Sequence, residues 1–440
     1  MQQYFHDLAD HLGTLLEGNE VFTAGFSGED SDFVRFNQGV VRQAGNVTQR
    51  SMGIDLINGS KHAGGSVTLS GDLAEDKSRL ATLVRSLRGK IPHLPGDPFL
   101  LYATDVNSSE RHGDADLPDA DRSLGQIQEA SKGRDLVGLY AAGEISSGFA
   151  NSLGQRNWYD TKSYNLDWSF YHNADKAVKA SYAGFAWDDG AFSRKVDTAV
   201  KQLEALAQDP ITIDPGAYRV FLTPAAVYDI VGILGWGGFG LKSHKTRQTP
   251  LLKMTTGEAS MADGVTIREN TAEGVAPNFQ GAGFIRPDAV TLIEGGRYKD
   301  CLVSPRSAKE YGVETNGASG GESPESLDVA GGSLQTGNAL GDLERGVYVG
   351  NVHYLNYSDR SACRTTGMTR FATFWVDGGE IQAPLNVMRF DETVYRILGE
   401  NLMGLTEERE FILDPGTYHG RSTSSGRMPA ALVEDFTFTL

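Results

Sequence analysis

At 440 residues, 40% of them hydrophobic, the chain has ample apolar material for a packed interior, and its length points to two or three domains. A formal net charge of −17 sets most of the surface against phosphate backbones and argues against direct nucleic-acid binding. No uncharged apolar run approaches the ~18–20 residues needed to cross a bilayer, and "MQQYFHDLADHLGTLLEG" lacks the basic-then-apolar order of a secretory signal, so the expectation is a soluble cytoplasmic protein without membrane contact.

Residues 3–17 carry Phe5, Leu8, Leu12, Leu15 and Leu16 at three- and four-residue intervals, which predicts an amphipathic helix laid against a sheet. The stretch "DFVRFNQGVVRQAGNVTQRSMGIDLINGSKHAGGSVTLS" then alternates β-rich runs with "NQG", "GN" and "NG". This is the pattern of short antiparallel strands, with Asn58-Gly59 the clearest hairpin turn. The 53 glycines, well above the ~7% typical of soluble chains, fit such a turn-rich fold. A second helix is expected from Leu73 to Arg88, stopped by "GKIPHLPGDP". Residues 104–121 read as an exposed acidic linker, followed by a helix over 122–132, aromatic-rich strands to Trp187 and a helix over 194–208. From "AYRVFL" the chain turns to a strand, a helix in "TPAAVYDIVGILG" with Thr223 as N-cap and Pro224 at its first position, and long strand-and-turn territory. The Gly/Ser-rich residues 316–342 read as too polar to pack, hence a mobile loop over a site or a disordered segment. These shifts divide the chain into an N-terminal α+β unit, 1–103, a central unit, 104–210, and a β-rich C-terminal unit, 211–440.

Little of this is overtly reactive. A zinc helix needs two imidazoles facing one cation and a carboxylate to activate water, and none of the nine histidines is followed by Glu. His172, His353 and His419 lie among strands and read as hydrogen-bonded histidines. "GWGGFG" at 235–240 follows the carboxyl end of a helix and lacks a Gly-Lys-Ser/Thr, so it reads as a cap and hinge rather than a phosphate loop. Cys301 and Cys363 are too few for a disulfide framework or a four-cysteine zinc site and read as reduced structural thiols. Cys363, beside Arg364, is a nucleophile only if His353 or another base reaches it. The densest polar cluster holds Asn356, Tyr357, Ser358, Arg364, Thr366 and Arg370. That mixture of carboxamide, hydroxyl and guanidinium groups suits a peptide backbone or a carboxylate, the alternative being a hydrogen-bonded bulge network.

Four segments in order resemble the TldD/PmbA family, also called modulators of DNA gyrase. They are "FVRFNQGVVRQ" with "RSMGIDLINGSKHAGGSVTL", "SSGFANSLGQRNWYDTKSYNLDWSF", "VTLIEGGRYKDCLVSPRSAKEYGVETNG" and "FATFWVDGGEIQAPLNVMRF". The resemblance implies an α+β fold, with an N-terminal helix-and-antiparallel-sheet region followed by a larger β-rich C-terminal domain, usually forming dimers. It also implies two branches. TldD-type zinc peptidases carry a His-Glu-x-x-x-His helix and a later cysteine ligand, and PmbA/TldE-type partners lack that helix motif. Laid over the family's metal helix, "AAVYDIVGI" puts Tyr228 at the first histidine, Asp229 at the glutamate and Ile233 at the second histidine, while His419 falls near the cysteine. The resemblance therefore implies a non-catalytic PmbA/TldE-like subunit with no catalytic zinc or other cofactor. Its implied partners are a TldD-type zinc-peptidase paralogue in a heterodimer, or a second copy in a homodimer, together with unfolded or flexible peptide. The alternatives are an active metallopeptidase or hydrolase with a divergent site around Cys363, His353 or His419, and a stand-alone peptide-binding homodimer.

Overall fold

The computed structural model describes residues 1–173 and 176–440. The first half folds around one twisted sheet of long strands: β1 (Val21–Asn37), β2 (Val40–Asn58), β3 (Lys61–Thr68), β4 (Ser109–His112), β5 (Asp135–Asn151), β6 (Arg156–Asn173) and β7 (Lys176–Gly184). Their order is β3-β2-β1-β5-β6, with β4 and β7 sharing the outer edge of β6. The β2–β3 turn is at Asn58-Gly59, where Gly59 takes φ 61°. The boundary expected at 103/104 is corrected by this sheet: β1 pairs with β5 from Thr23↔Asn151 to Phe36↔Gly138, so residues 1–103 and 104–210 share one hydrogen-bonded layer.

Helices cover one face of that sheet. α1 (Gln2–Thr14) buries Phe5, Leu8, Ala9 and Leu12 beside α2 (Leu73–Lys90), whose N-cap Asp72 accepts from the Glu75 amide. α3 (Ala120–Ser131) and α4 (Asp189–Leu206) cover the other end, over Tyr140, Tyr164, Leu166, Trp168 and Phe170. Each fully buried large side chain contributes about 1.5–3 kcal/mol.

The second half forms an eleven-stranded sheet from β8 (Gly216–Leu222), β9 (Ile267–Glu269), β10 (Val290–Glu294), β11 (Arg297–Tyr298), β12 (Ser326–Val329), β13 (Gly346–Asp359), β14 (Arg364–Asp377), β15 (Glu380–Pro384), β16 (Arg389–Thr393), β17 (Leu402–Leu413) and β18 (Ser425–Phe438). Because β8 pairs with both β13 and β18, the run β18-β16-β14-β13-β8 closes on itself. The protein is thus α+β, with the larger β-rich layer second, as expected.

The loop reading of 316–342 does not hold. β12 lies inside this segment with all four residues buried, pairing antiparallel with β9 and parallel with β18. Burial of Ser326 and Asp328 made it look too polar to pack, but Arg409 donates to Asp328 and the Ser326 amide donates to Glu269. Among the described residues no helix is long and apolar enough to cross a membrane.

Candidate functional site

The helix singled out in the sequence, α5 (Pro224–Gly232), is fixed at both ends by β13. At its start, Thr223 Oγ1 accepts from the Ala226 amide (3.3 Å) and donates to the Gly350 carbonyl (2.6 Å). At its far end the Tyr357 hydroxyl donates to the Ile233 carbonyl (2.9 Å), which also accepts from the Trp236 amide (3.1 Å). Between these anchors Ala226, Val227, Ile230 and Val231 are buried, with Ile233 and Leu234 in the turn that follows. They pack on Val220 and Leu222 of β8, Val349 of β13 and Met428 and Ala431 of β18. The ring of Tyr228 lies directly over Gly426, where a Cβ would come within 2.7 Å of it, so the glycine permits this approach of helix to strand.

These residues do not suit zinc. Ile233 is 3% exposed and offers only carbon. Burial, with the nearby carboxylates of Asp414 and Asp229, pushes the Tyr228 phenol up to about 12, so no phenolate forms near neutrality. Asp229 reaches solvent, yet protein crowds it; the lost hydration raises its carboxyl to about 6, and the Lys179 ammonium pulls the other way. His419 is exposed, at φ 65°, its ring against Tyr418 and its carbonyl accepting from Gln49 Nε2 (3.1 Å). Among the described residues no three His, Cys, Asp or Glu side chains converge as a metal site would require.

Asp229 lies within the field of Lys179 on the first sheet, whose face toward the second layer carries residues that the sequence reading passed over. Along β6, Tyr164, Leu166, Trp168 and Phe170 point to the helices, while Thr161, Ser163, Asn165 and Asp167 alternate onto the opposite face. Lys179 of β7 pairs with Asp167 (3.4 Å). Asn165 Nδ2 donates to the Leu413 carbonyl at the end of β17 (3.2 Å). Arg421, on the loop between β17 and β18, enters a socket of small residues in register across three strands, Ser31, Gly143 and Ser163. It donates to the Gly143 carbonyl (3.1 Å), to Ser31 Oγ (3.4 Å) and to the Ser163 carbonyl and Oγ (2.9 and 2.5 Å). The signal was present in "SYNLDWS", whose small and polar residues alternate with large, largely apolar ones over seven positions.

The polar cluster nominated from sequence is largely engaged with the neighbouring strand β16. Besides Tyr357 on α5, Arg364 pairs with Asp391 (3.2 Å), Ser358 Oγ donates to the same carboxylate, and Thr366 Oγ1 donates to the Phe390 carbonyl. Asn356 Oδ1 accepts from the Tyr357 amide. Arg370 instead lies over the Phe371 ring, and its charge, after burial, lowers the pKa of His353. Cys363 is fully buried and burial pushes its thiol to about 12, leaving it neither thiolate nor access for nucleophilic work.

An α+β chain of two sheets, the first covered by helices and the second carrying α5, has the architecture of a family of metallopeptidase-like proteins. Residues 215–440 match the family model of the PmbA/TldA metallopeptidase C-terminal domain, and the chain belongs to the TldD/PmbA family. Solved structures share the whole fold. TldE from Thermococcus kodakarensis superposes with a TM-score of 0.78 at 13% identity, over 99% of this chain and 100% of that one. A candidate modulator of a DNA gyrase from Thermotoga maritima gives 0.77 at 15%, over 99% and 100%. One from Bacteroides thetaiotaomicron gives 0.72 at 14%, over 99% and 98%. No curated protein matches by sequence.

Proposed function

We propose that this chain is a PmbA/TldE-like subunit of a TldD/TldE-type proteolytic pair. It holds unfolded or flexible peptide in the groove between its two sheets, while a TldD-type relative carries the zinc. The observation behind this reading is the chemistry of α5: in a metallopeptidase family, its three aligned positions hold a neutral phenol, a crowded carboxyl and a buried hydrocarbon. Such a set gives no imidazole to bind zinc and no pair of ligands to share it. The groove supplies what remains useful, a rigid polar wall on β6 and β7 opposite a rigid helix, and His353 feels the charges of both Lys179 and Arg370, the latter a residue of the nominated cluster.

The test is to purify the chain alone, measure bound zinc and hydrolysis of an unfolded protein substrate, and then add a zinc-bearing relative. The expected result is substoichiometric zinc and no cleavage alone, with cleavage appearing on mixing. Stoichiometric zinc with chelator-sensitive cleavage by the isolated chain would sink the proposal.

A further inference from the structure

The loop between β17 and β18 does not seat flush on the first sheet. It roofs a half-open pocket lined by Leu139, Ala141 and Asn165 of the sheet and, from the loop, chiefly by Asp414, Gly416, Ser422 and Arg421 itself. Its space of about 20 Å³ exceeds the ~10–15 Å³ that a single water occupies.

The residues around this space bring a surplus of acceptors. Asn165 is 8% exposed, and its Oδ1 has no hydrogen-bond partner. The side-chain amide cannot be turned round to cure this, because its Nδ2 is committed to the Leu413 carbonyl. A buried unpaired acceptor costs about 1–3 kcal/mol, so its persistence on an otherwise satisfied wall points to a donor that arrives from outside. The Asp414 carboxylate holds the roof together, accepting from the Gly416 amide (2.9 Å) and Ser422 Oγ (3.1 Å). Both donors are neutral, and among the described residues no cation pairs with Asp414. Arg421, the nearby positive charge, points its terminal N–H groups away into the sheet, where the buried carboxylate of Glu29 also offsets its charge. Glu29 Oε1 is itself without a partner. Asp229 and Asp414 both act on Tyr228, so the pocket is continuous with the electrostatics of α5.

We propose that this pocket binds a primary ammonium group of a peptide ligand, which donates to Asn165 Oδ1 and to the Asp414 carboxylate. An ammonium carries three donors on one small head, matching the acceptors and the size of the space, and a charge that Asp414 lacks a partner for. The group belongs either to the N-terminus of a peptide or to a lysine side chain. The inference rests on the peptide-holding reading of the groove, and it gives that groove a chemical preference.

Calorimetric titration of the full chain with three tetra-alanine-based peptide amides tests it. One has a free N-terminus, one is acetylated, and one is acetylated with alanine replaced by lysine at the third position. At least one ammonium-bearing peptide should bind about tenfold or more tighter than the acetylated tetra-alanine, as expected for a charge-assisted hydrogen bond, and which one does so identifies the source of the group. Asp414→Asn, which keeps the roof geometry, should erase that difference, as should Asn165→Leu. An ammonium peptide that binds no better than the acetylated one, binding of neither included, overturns the proposal and leaves the pocket as a water site. So does a preference that survives Asp414→Asn. These outcomes are separable from those of the zinc test: cleavage by the isolated chain would remove the subunit reading while leaving the ammonium preference measurable.

Discussion

The two walls of the groove are built on opposite principles. On α5 the side chains are absorbed into packing: Ile233 in the turn that follows is buried, Tyr228 rests on Gly426, and the helix is held by apolar contacts with three strands. On β6 the facing residues are polar, several are nearly inaccessible, and not all are satisfied, as Asn165 Oδ1 shows. A helix without reactive groups is stable for ordinary hydrophobic reasons and needs no use to persist. A buried polar row is costly unless its partners are present. The difference teaches that, where the expected chemistry is missing, the more informative wall is the one that is energetically expensive.

Three substitutions sharpen that contrast. Ile230→Ala, at a site 1% exposed, should destabilise the protein by about 2–5 kcal/mol in chemical denaturation, since it leaves a cavity between α5 and β18. A loss below 1 kcal/mol would mean that packing is not what holds the helix. Arg421→Ala should cost about 1–3 kcal/mol by stranding the acceptors of the socket, and hydrogen exchange should rise locally at Ser31, Gly143 and Ser163. Arg421→Lys should recover little, because an ammonium lacks the planar fork that spans this row.

The smallest effect is the pH dependence of Asp229→Asn. Its folded carboxyl titrates at about 6 against an ordinary 3.8, so the folded state holds the proton more tightly than the unfolded one. The penalty for ionising it is absent below about pH 4, grows between 4 and 6 and is complete above. Asp229→Asn should therefore raise Tm at pH 7.5, with the gain shrinking as pH falls toward 4. A gain independent of pH would show that crowding does not act through the charge.

Local chemistry made part of this molecule legible in its sequence. The apolar spacing of α1, the stop after α2, the Asn58-Gly59 turn and the Thr223-Pro224 start of α5 are all decided within a few residues of themselves. What was not legible depends on distant partners. No local pattern pairs β1 with β5 across more than a hundred residues, and that pairing is what merges the first two expected units. β12 is four residues long, and its Asp328 side chain becomes tolerable only once Arg409 is in place, while Glu269 accepts from the Ser326 amide. The site divides in the same way. The capped, apolar character of α5 was readable locally, whereas Asn165, Lys179 and Arg421 are brought together only through sheet register and a loop from the far end of the chain.

β18 is the strand on which the second layer turns, pairing with β8, β12, β16 and β17. It also comes after every other strand of that layer in chain order. During translation the first sheet has all its strands by Gly184 and can form early, but the second must wait until Ser425–Phe438 leaves the ribosome before its ring can close. Until then the apolar side of α5 and the open edges of β8 and β12 have nothing to rest on. A nascent chain stalled anywhere between β8 and β18 is thus a folded first layer trailing a sticky, unfinished second one, and chaperone demand should concentrate in that interval.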